Sequence, residues 1–264
     1  MNPQVEAAAE RLLNLLYPRR CPLCGGVVYG TPWNGAVCPD CAREADRLCH
    51  QPPRLPATEH EFYAVNTAAG AFYYADGVRH GILLCKEFGK PWFAREFADL
   101  IAVLVYGAEP APVPGRMPVY QNLTGIPLYH AIVPVVPREK RHPADNLPLL
   151  LARRLGRILD LPVLCPLVTT RSIRPQKTLD LAQRQKNTNG AYACRPGTDL
   201  TGKRILLVDD IITSGSTVSA CALALLAAGA VAVDAVCIAA AEDLPREKQK
   251  PKPAKRKFKE NSHQ

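Results

Sequence analysis

Apolar and polar positions follow recognisable periods along most of the chain. Residues 5–16, VEAAAERLLNLL, space their apolar positions for a short amphipathic helix that Tyr17-Pro18 ends. Phe62–Tyr74 carries strand-like runs, and Asp76-Gly77 is a turn. Val78–Phe88 fits a helix with Val78, Ile82, Leu83 and Cys85 apolar, and Gly89 suits its left-handed cap. Trp92–Tyr106 predicts a second helix, and residues 107–122 are Pro/Gly-rich. Residues 131–137, AIVPVVP, read as a buried strand followed by a loop with Arg138, Lys140 and Arg141. Leu147–Leu159 predicts a helix and Val163–Leu164 a short strand. Residues 169–190 are polar and basic, and read as a mobile excursion. Strands and helices then alternate to residue 241, which argues an α/β fold with a parallel sheet flanked by helices. There is no internal repeat.

Composition adds the ends and the boundaries. The chain has 264 residues, 47% hydrophobic and 22% charged, which excludes a fibrous or wholly disordered protein. The longest apolar stretch, 221–241, is interrupted by Gly229 and Asp234, so no run approaches the roughly 20 residues of a bilayer span. The first residues are acidic where a signal peptide is positive, so a cytoplasmic protein without membrane insertion is expected. The net charge is +9, and residues 246–264 hold eight Lys/Arg against two Glu. That end reads as a disordered, dispensable tail, solubilising or loosely binding polyphosphate or nucleic acid. The expected organisation is an N-terminal helix and metal module over 1–50, a linker over 51–61, an α/β domain over 62–242 and the basic tail over 243–264.

Four of the ten cysteines fall in two matched pairs. Cys21-Pro-Leu-Cys24 and Cys38-Pro-Asp-Cys41 are separated by thirteen residues. Each C-x-x-C turn aims two thiolates at one point, and two such turns make the tetrahedral site that Zn2+ accepts. A redox dithiol would need one such pair at the start of a helix, not two. Four protein ligands leave no open position, so the zinc is expected to be structural, and its removal to loosen residues 17–45. Cys49 and His50 read as an incidental pair. Cys85, Cys165, Cys194, Cys221 and Cys237 lie in apolar surroundings and read as core thiols.

The most informative stretch is Ile205-Leu206-Leu207-Val208-Asp209-Asp210-Ile211-Ile212-Thr213-Ser214-Gly215-Ser216-Thr217. Four apolar residues make a buried strand, and two acids stand at the end where α/β sheets place ligands. Thr213, Ser214, Gly215, Ser216 and Thr217 then lead into the helix Val218–Ala228, with Gly229 at its end. Hydroxyls and backbone N–H groups at a helix N-terminus form an anion site, and Gly215 lets a phosphate oxygen approach the backbone. Acids beside a phosphate make sense on the ribose hydroxyls of the same ligand, or facing a divalent cation. The chemistry implied is a ribose 5-phosphate. A helix cap alone accounts for one or two of these residues. The excursion reads either as a flap whose Arg174, Lys177, Arg184 and Lys186 close over a pyrophosphate or as an ordinary solvated loop.

These thirteen positions resemble the phosphoribosyl-pyrophosphate signature of type I phosphoribosyltransferases. With the four-cysteine module, the chain to about residue 242 resembles the ComF family of competence-associated proteins. Tyr74 and Gly77, Lys86-Glu87-Phe88-Gly89, and Gln176, Arg184, Asn187, Gly190 and Ala191 fit the same resemblance. It implies a type I phosphoribosyltransferase-like domain over 62–242, with Asp209 and Asp210 on the ribose and Thr213 to Thr217 on the 5-phosphate. It also implies a Mg2+-dependent pyrophosphate end near the loop after Val135. Arg138, Lys140, Arg141, Arg174, Gln176 and Arg184 are its candidate contacts. Where the family has Arg-Gly-aromatic-Asn, this chain has Arg141-His142-Pro143-Ala144-Asp145-Asn146. The ribose-phosphate half therefore matches while the pyrophosphate half departs. Two functions follow. One is binding of phosphoribosyl pyrophosphate and transfer of the phosphoribosyl group, with no general base or acceptor evident. The other is a non-catalytic role in DNA uptake, the zinc module and basic tail binding a helicase partner or single-stranded DNA.

Overall fold

The computed structural model describes residues 18–249 apart from 31, 57–59, 61, 88–89, 112–118, 122–127, 138–145, 171–189 and 246–247. The helix expected over 5–16 lies outside the described residues, as do Phe88 and Gly89. The centre is a parallel sheet in the order β1-β8-β7-β4, formed by β1 (Thr67–Tyr73), β8 (Ala232–Ala240), β7 (Arg204–Ile212) and β4 (Ala131–Pro134). Val163 makes a single parallel bridge to Ile132 on the outer edge of β4, where a short strand was expected. The chain thus leaves β4 outward to Val163, returns to β7 on the inner side and continues to β8. The reversal falls between β4 and β7, and open α/β sheets bind ligands in the crevice beyond the strand ends at such a switch point.

Strand periodicity divides the interior into two cores. Leu206 and Val208 face one side with Ile132, Phe72 and Ile238, under α1 (Pro39–Leu48), α2 (Asp76–Lys86), α3 (Phe93–Tyr106) and α4 (Leu147–Leu159). Ile205 and Leu207 face the other with Val133 and Ala235, under α5 (Ser216–Ala227) and the antiparallel pair β5 (Leu167–Thr169) and β6 (Tyr192–Cys194). This alternation is the two-residue repeat of a strand covered on both faces. Each fully buried Leu or Ile contributes about 1.5–3 kcal/mol. Within the Pro/Gly-rich stretch, β2 (Glu109–Ala111) and β3 (Val119–Gln121) pair antiparallel. No helix among the described residues is long and apolar enough to cross a membrane.

The cysteine module shares the first core. Cys21, Leu23, Val37, Cys38 and Leu48 are buried with Ile82 and Phe97. Gly81 explains how close the approach is: a Cβ there would lie 1.9 Å from the Pro22 carbonyl oxygen and 2.9 Å from Phe97. Residues 49–55, which include the start of the expected linker, run antiparallel to β1. Cys49 bridges Phe72, Arg54 bridges Ala69, and the Leu55 N–H donates to the Ala68 carbonyl at 2.9 Å. The tail is also engaged at its start. Arg47 Nη1 donates to the Lys248 carbonyl at 2.7 Å, and Lys248 Nζ donates to the Cys49 carbonyl at 2.5 Å. Residues 250–264 lie outside the described residues.

Candidate functional site

In the N-terminal module, tight backbone turns aim the cysteines. The Cys21 N–H donates to the Gly26 carbonyl at 2.7 Å and the Gly25 N–H to the Cys21 carbonyl at 2.8 Å, closing the first knuckle. Cys38 is the N-cap of α1, with Pro39 at its first position, so Cys41 lies in the first helical turn. The four sulfurs lie within 4.8 Å of one another, and Cys24 and Cys38 are 3.8 Å apart. A tetrahedron with Zn–S bonds of about 2.3 Å has sulfur separations of about 3.8 Å, so these residues fit zinc. Burial pushes the Cys21 thiol up to about 11. Burial also opposes ionisation of Cys38, but the Cys41 N–H and hydrogen bonds within the cluster outweigh it and lower its value. Cys49 stands apart, buried, with Gln51 Nε2 3.7 Å from its sulfur.

At the other site, β7 runs two residues past the acids to Ile212, paired with β8 throughout, whereas its pairing with β4 ends at Pro134–Val208. Asp209 and Asp210 thus stand just past the end of β4. Alternation along the strand sends them to opposite faces. Asp210 faces α2, where Lys86 Nζ donates to its Oδ1 at 2.8 Å. Asp209 lies on the α5 side, and its Oδ1 accepts the Asp210 N–H at 2.8 Å. Both acids are only 8% exposed. Buried thiols lie beneath them. Cys85 is pushed up to about 12 by burial, with Asp210 adding and Lys86 opposing, and Cys221 is raised by burial and by Asp209. Cys85, Cys221 and Cys237 are core thiols as expected, whereas Cys165 is exposed and Cys194 half-buried.

The loop Thr213–Gly215 enters α5, which begins at Ser216 with Gly215 as N-cap and no side-chain cap bond. Ser214 and Ser216 hydroxyls are 2.9 Å apart. Thr213 is exposed, and Ser214 and Thr217 are half-buried. Gly215 has φ +80°, and a Cβ there would lie 2.7 Å from Phe62 Cε1, so Phe62 fills the space beside it. The helix closes with the Ala230 N–H on the Leu225 carbonyl and the Gly229 N–H on the Leu226 carbonyl. The structure therefore gathers Asp209, Asp210 and Thr213 to Thr217 at one end of the sheet. Arg138, Lys140, Arg141, Arg174, Lys177, Gln176, Arg184 and Lys186 lie outside the described residues. Asn146 caps α4, its Oδ1 accepting the Leu149 N–H at 3.3 Å.

Three residues join this site that the sequence reading did not place there. Lys86 had a signal in its position at a helix end, as part of Lys86-Glu87-Phe88-Gly89. His60 and Glu242 had none. His60 Nδ1 lies 2.7 Å from the Thr213 carbonyl oxygen, and Glu242 holds the same ring from behind.

Residues 148–264 match the family model described as phosphoribosyl transferase domain. The sheet, its flanking helices and the loop above form a phosphoribosyltransferase-type fold, joined to the four-cysteine cluster. Among solved structures, the chain is similar to glutamine phosphoribosylpyrophosphate amidotransferase from B. subtilis, complexed with ADP and GMP. The identity is 22% and the TM-score 0.29, over 41% of this chain. The match spans 22% of that enzyme's length. No curated protein matches the chain significantly.

Proposed function

We propose that this chain binds phosphoribosyl pyrophosphate, or a related ribose 5-phosphate, in the crevice at the end of β7 and transfers the phosphoribosyl group. The observation that carries this is the joint placement of two acids and a hydroxyl-rich loop at the start of a helix with no side-chain cap, at the reversal point of a parallel sheet. The loop amides and hydroxyls bind the 5-phosphate. Asp209 and Asp210 accept hydrogen bonds from the ribose hydroxyls, with Lys86 holding Asp210 in place. A nucleophile then displaces pyrophosphate at C1 of the ribose. Mg2+ would neutralise the leaving charge, and the carboxylates are oxygen donors of the kind it accepts. Among the described residues only the four cysteines form a cluster of three or more metal-binding groups. Pyrophosphate release from phosphoribosyl pyrophosphate and Mg2+, assayed across nucleobases and amines, tests transfer. Binding without release from any acceptor would reduce the function to ligand binding.

The pairing of a four-cysteine module with this domain supports a place beside the ComF proteins, and hence a cytoplasmic role in DNA uptake with a helicase partner. Contact between the module and single-stranded DNA is the second reading. It is supported by a cavity of about 450 Å³ lined by Arg19, Arg20, Trp92, Phe93, Arg95 and Glu96. Trp92 is 53% exposed and offers a stacking face. Oligonucleotide affinity that falls steeply with salt and drops in Trp92→Ala supports it; salt-independent or unchanged binding refutes it.

A further inference from the structure

Behind the loop, one carboxylate is shared by two histidines. His60 Nε2 meets Glu242 Oε1 at 2.5 Å, and His50 Nε2 meets Glu242 Oε2 at 2.8 Å. The side chains of His60, His50 and Glu242 are 1%, 5% and 6% exposed. The second nitrogen of each ring meets a backbone carbonyl. His60 Nδ1 is 2.7 Å from Thr213 O, and His50 Nδ1 is 2.7 Å from Pro52 O. Carbonyl oxygens and an ionised carboxylate can only accept, so both nitrogens of each ring face acceptors, and the bond to the backbone carbonyl is made by the form of the ring that carries a proton on Nδ1. The rings are stacked as well as bonded, His50 on Tyr73 at 4.5 Å and His60 on Phe62 at 5.1 Å.

The segment around His60 touches the loop and its helix at three places. His60 holds the Thr213 carbonyl, Phe62 lies against Gly215, and the Tyr63 N–H donates to Ser219 Oγ at 3.3 Å. The peptide joining Thr213 to Ser214 is planar, so its carbonyl and its N–H point in opposite directions. A carbonyl turned toward a phosphate would repel it. Held by His60, that carbonyl points into the protein and the Ser214 N–H points away from His60. We propose that His60, fixed by Glu242 and His50, is a positioning residue for the phosphate loop: it turns the Thr213 carbonyl inward and so aims the loop amides at the ligand. This rests on the reading of the loop as a phosphate site.

The test separates the two contacts of one ring. His60→Asn keeps a donor near the position of Nδ1, within reach of Thr213. His60→Gln places its amide near the position of Nε2, within reach of Glu242 but not of the loop. Ribose 5-phosphate is the probe, titrated by calorimetry into the full chain and each variant, with melting recorded alongside. Losing the loop contact is expected to weaken His60→Gln about tenfold or more, on the scale of one hydrogen bond. His60→Asn is expected to stay within about threefold of wild type. A merely structural histidine would give no recovery in His60→Asn, so equal weakening of both variants overturns the inference, as does wild-type affinity in both. Failure of the wild type to bind ribose 5-phosphate overturns the phosphate-site reading itself. Should either variant fail to fold, nitrogen-15 histidine spectra of the wild type decide. A protonated Nδ1 at His60 supports the arrangement, and a bare Nδ1 overturns it.

Discussion

Replacing Gly215 with alanine probes the site's backbone and its nearest side chain together. At φ +80° and ψ −8°, Gly215 sits in the left-handed region. A residue with a Cβ is disfavoured there by about 1–2 kcal/mol. The new Cβ would also lie 2.7 Å from Phe62 Cε1 and 2.8 Å from Cδ1. The ring is stacked on buried His60, so it cannot swing away freely. Overpacking of this kind costs about 1–3 kcal/mol. The two terms sum to about 2–5 kcal/mol, or a melting temperature lowered by about 4–20 °C for a protein of this size. Phe62→Ala removes the clash but not the backbone cost. In a double-mutant cycle read by urea unfolding, the pair should therefore couple by about 1–3 kcal/mol, Gly215→Ala costing less when Phe62 is absent. Melting of Gly215→Ala within 1 °C of wild type, or a cycle without coupling, would refute this account of the loop.

Zinc analysis should find one ion per chain, lost in Cys24→Ser; because Leu23 and Val37 share a core with Ile82 and Phe97, chelation should lower the melting of the whole chain and not loosen residues 17–45 alone. Truncation after Leu244 should cost about 1–3 kcal/mol through the lost Lys248 contacts to Arg47 and Cys49, while truncation after Gln249 should leave melting unchanged. Burial opposes ionisation of Asp234, but hydrogen bonds from Asn66, Thr67 and Arg204 outweigh it and hold its carboxyl below the usual range. Its stabilising effect is then present above the ordinary aspartate value of about 3.9 and lost as pH falls through the lowered one, so Asp234→Asn should flatten the acid limb of the stability curve.

Local patterns were legible in the sequence wherever one segment supplies its own signal. Leu147–Leu159 is a helix over the span its apolar spacing predicts, and β4 and β7 fall where buried runs stand. The four cysteines converge because each turn is set by its own few residues. The helix after the signature begins at Ser216, two residues before the expected Val218, because Ser216 is already buried against the core. What escaped depends on distant partners. His60 and Glu242 are 182 residues apart, and no local pattern announces their pairing. Proline-rich composition marked residues 51–61 as a linker, yet the first of them add backbone hydrogen bonds to β1 that no local pattern encodes. The start of the tail was missed for the same reason. Lys248 looks like one more charge in a basic run, but its ammonium lies 5.3 Å from the Tyr73 ring centre and bonds the Cys49 carbonyl.

The most direct test of the account is calorimetric titration of phosphoribosyl pyrophosphate with Mg2+ into wild type, Asp209→Asn and Asp210→Asn. The substitutions keep size and remove the charge that accepts the ribose hydroxyls. Each should weaken binding about ten- to a hundredfold, the scale of one charge-assisted hydrogen bond at about 1.5–3 kcal/mol. The free protein should remain folded in Asp210→Asn, because the amide oxygen can still accept from Lys86 Nζ. No binding by the wild type, or equal affinity in all three proteins, would contradict the assignment of this crevice as the phosphoribosyl site.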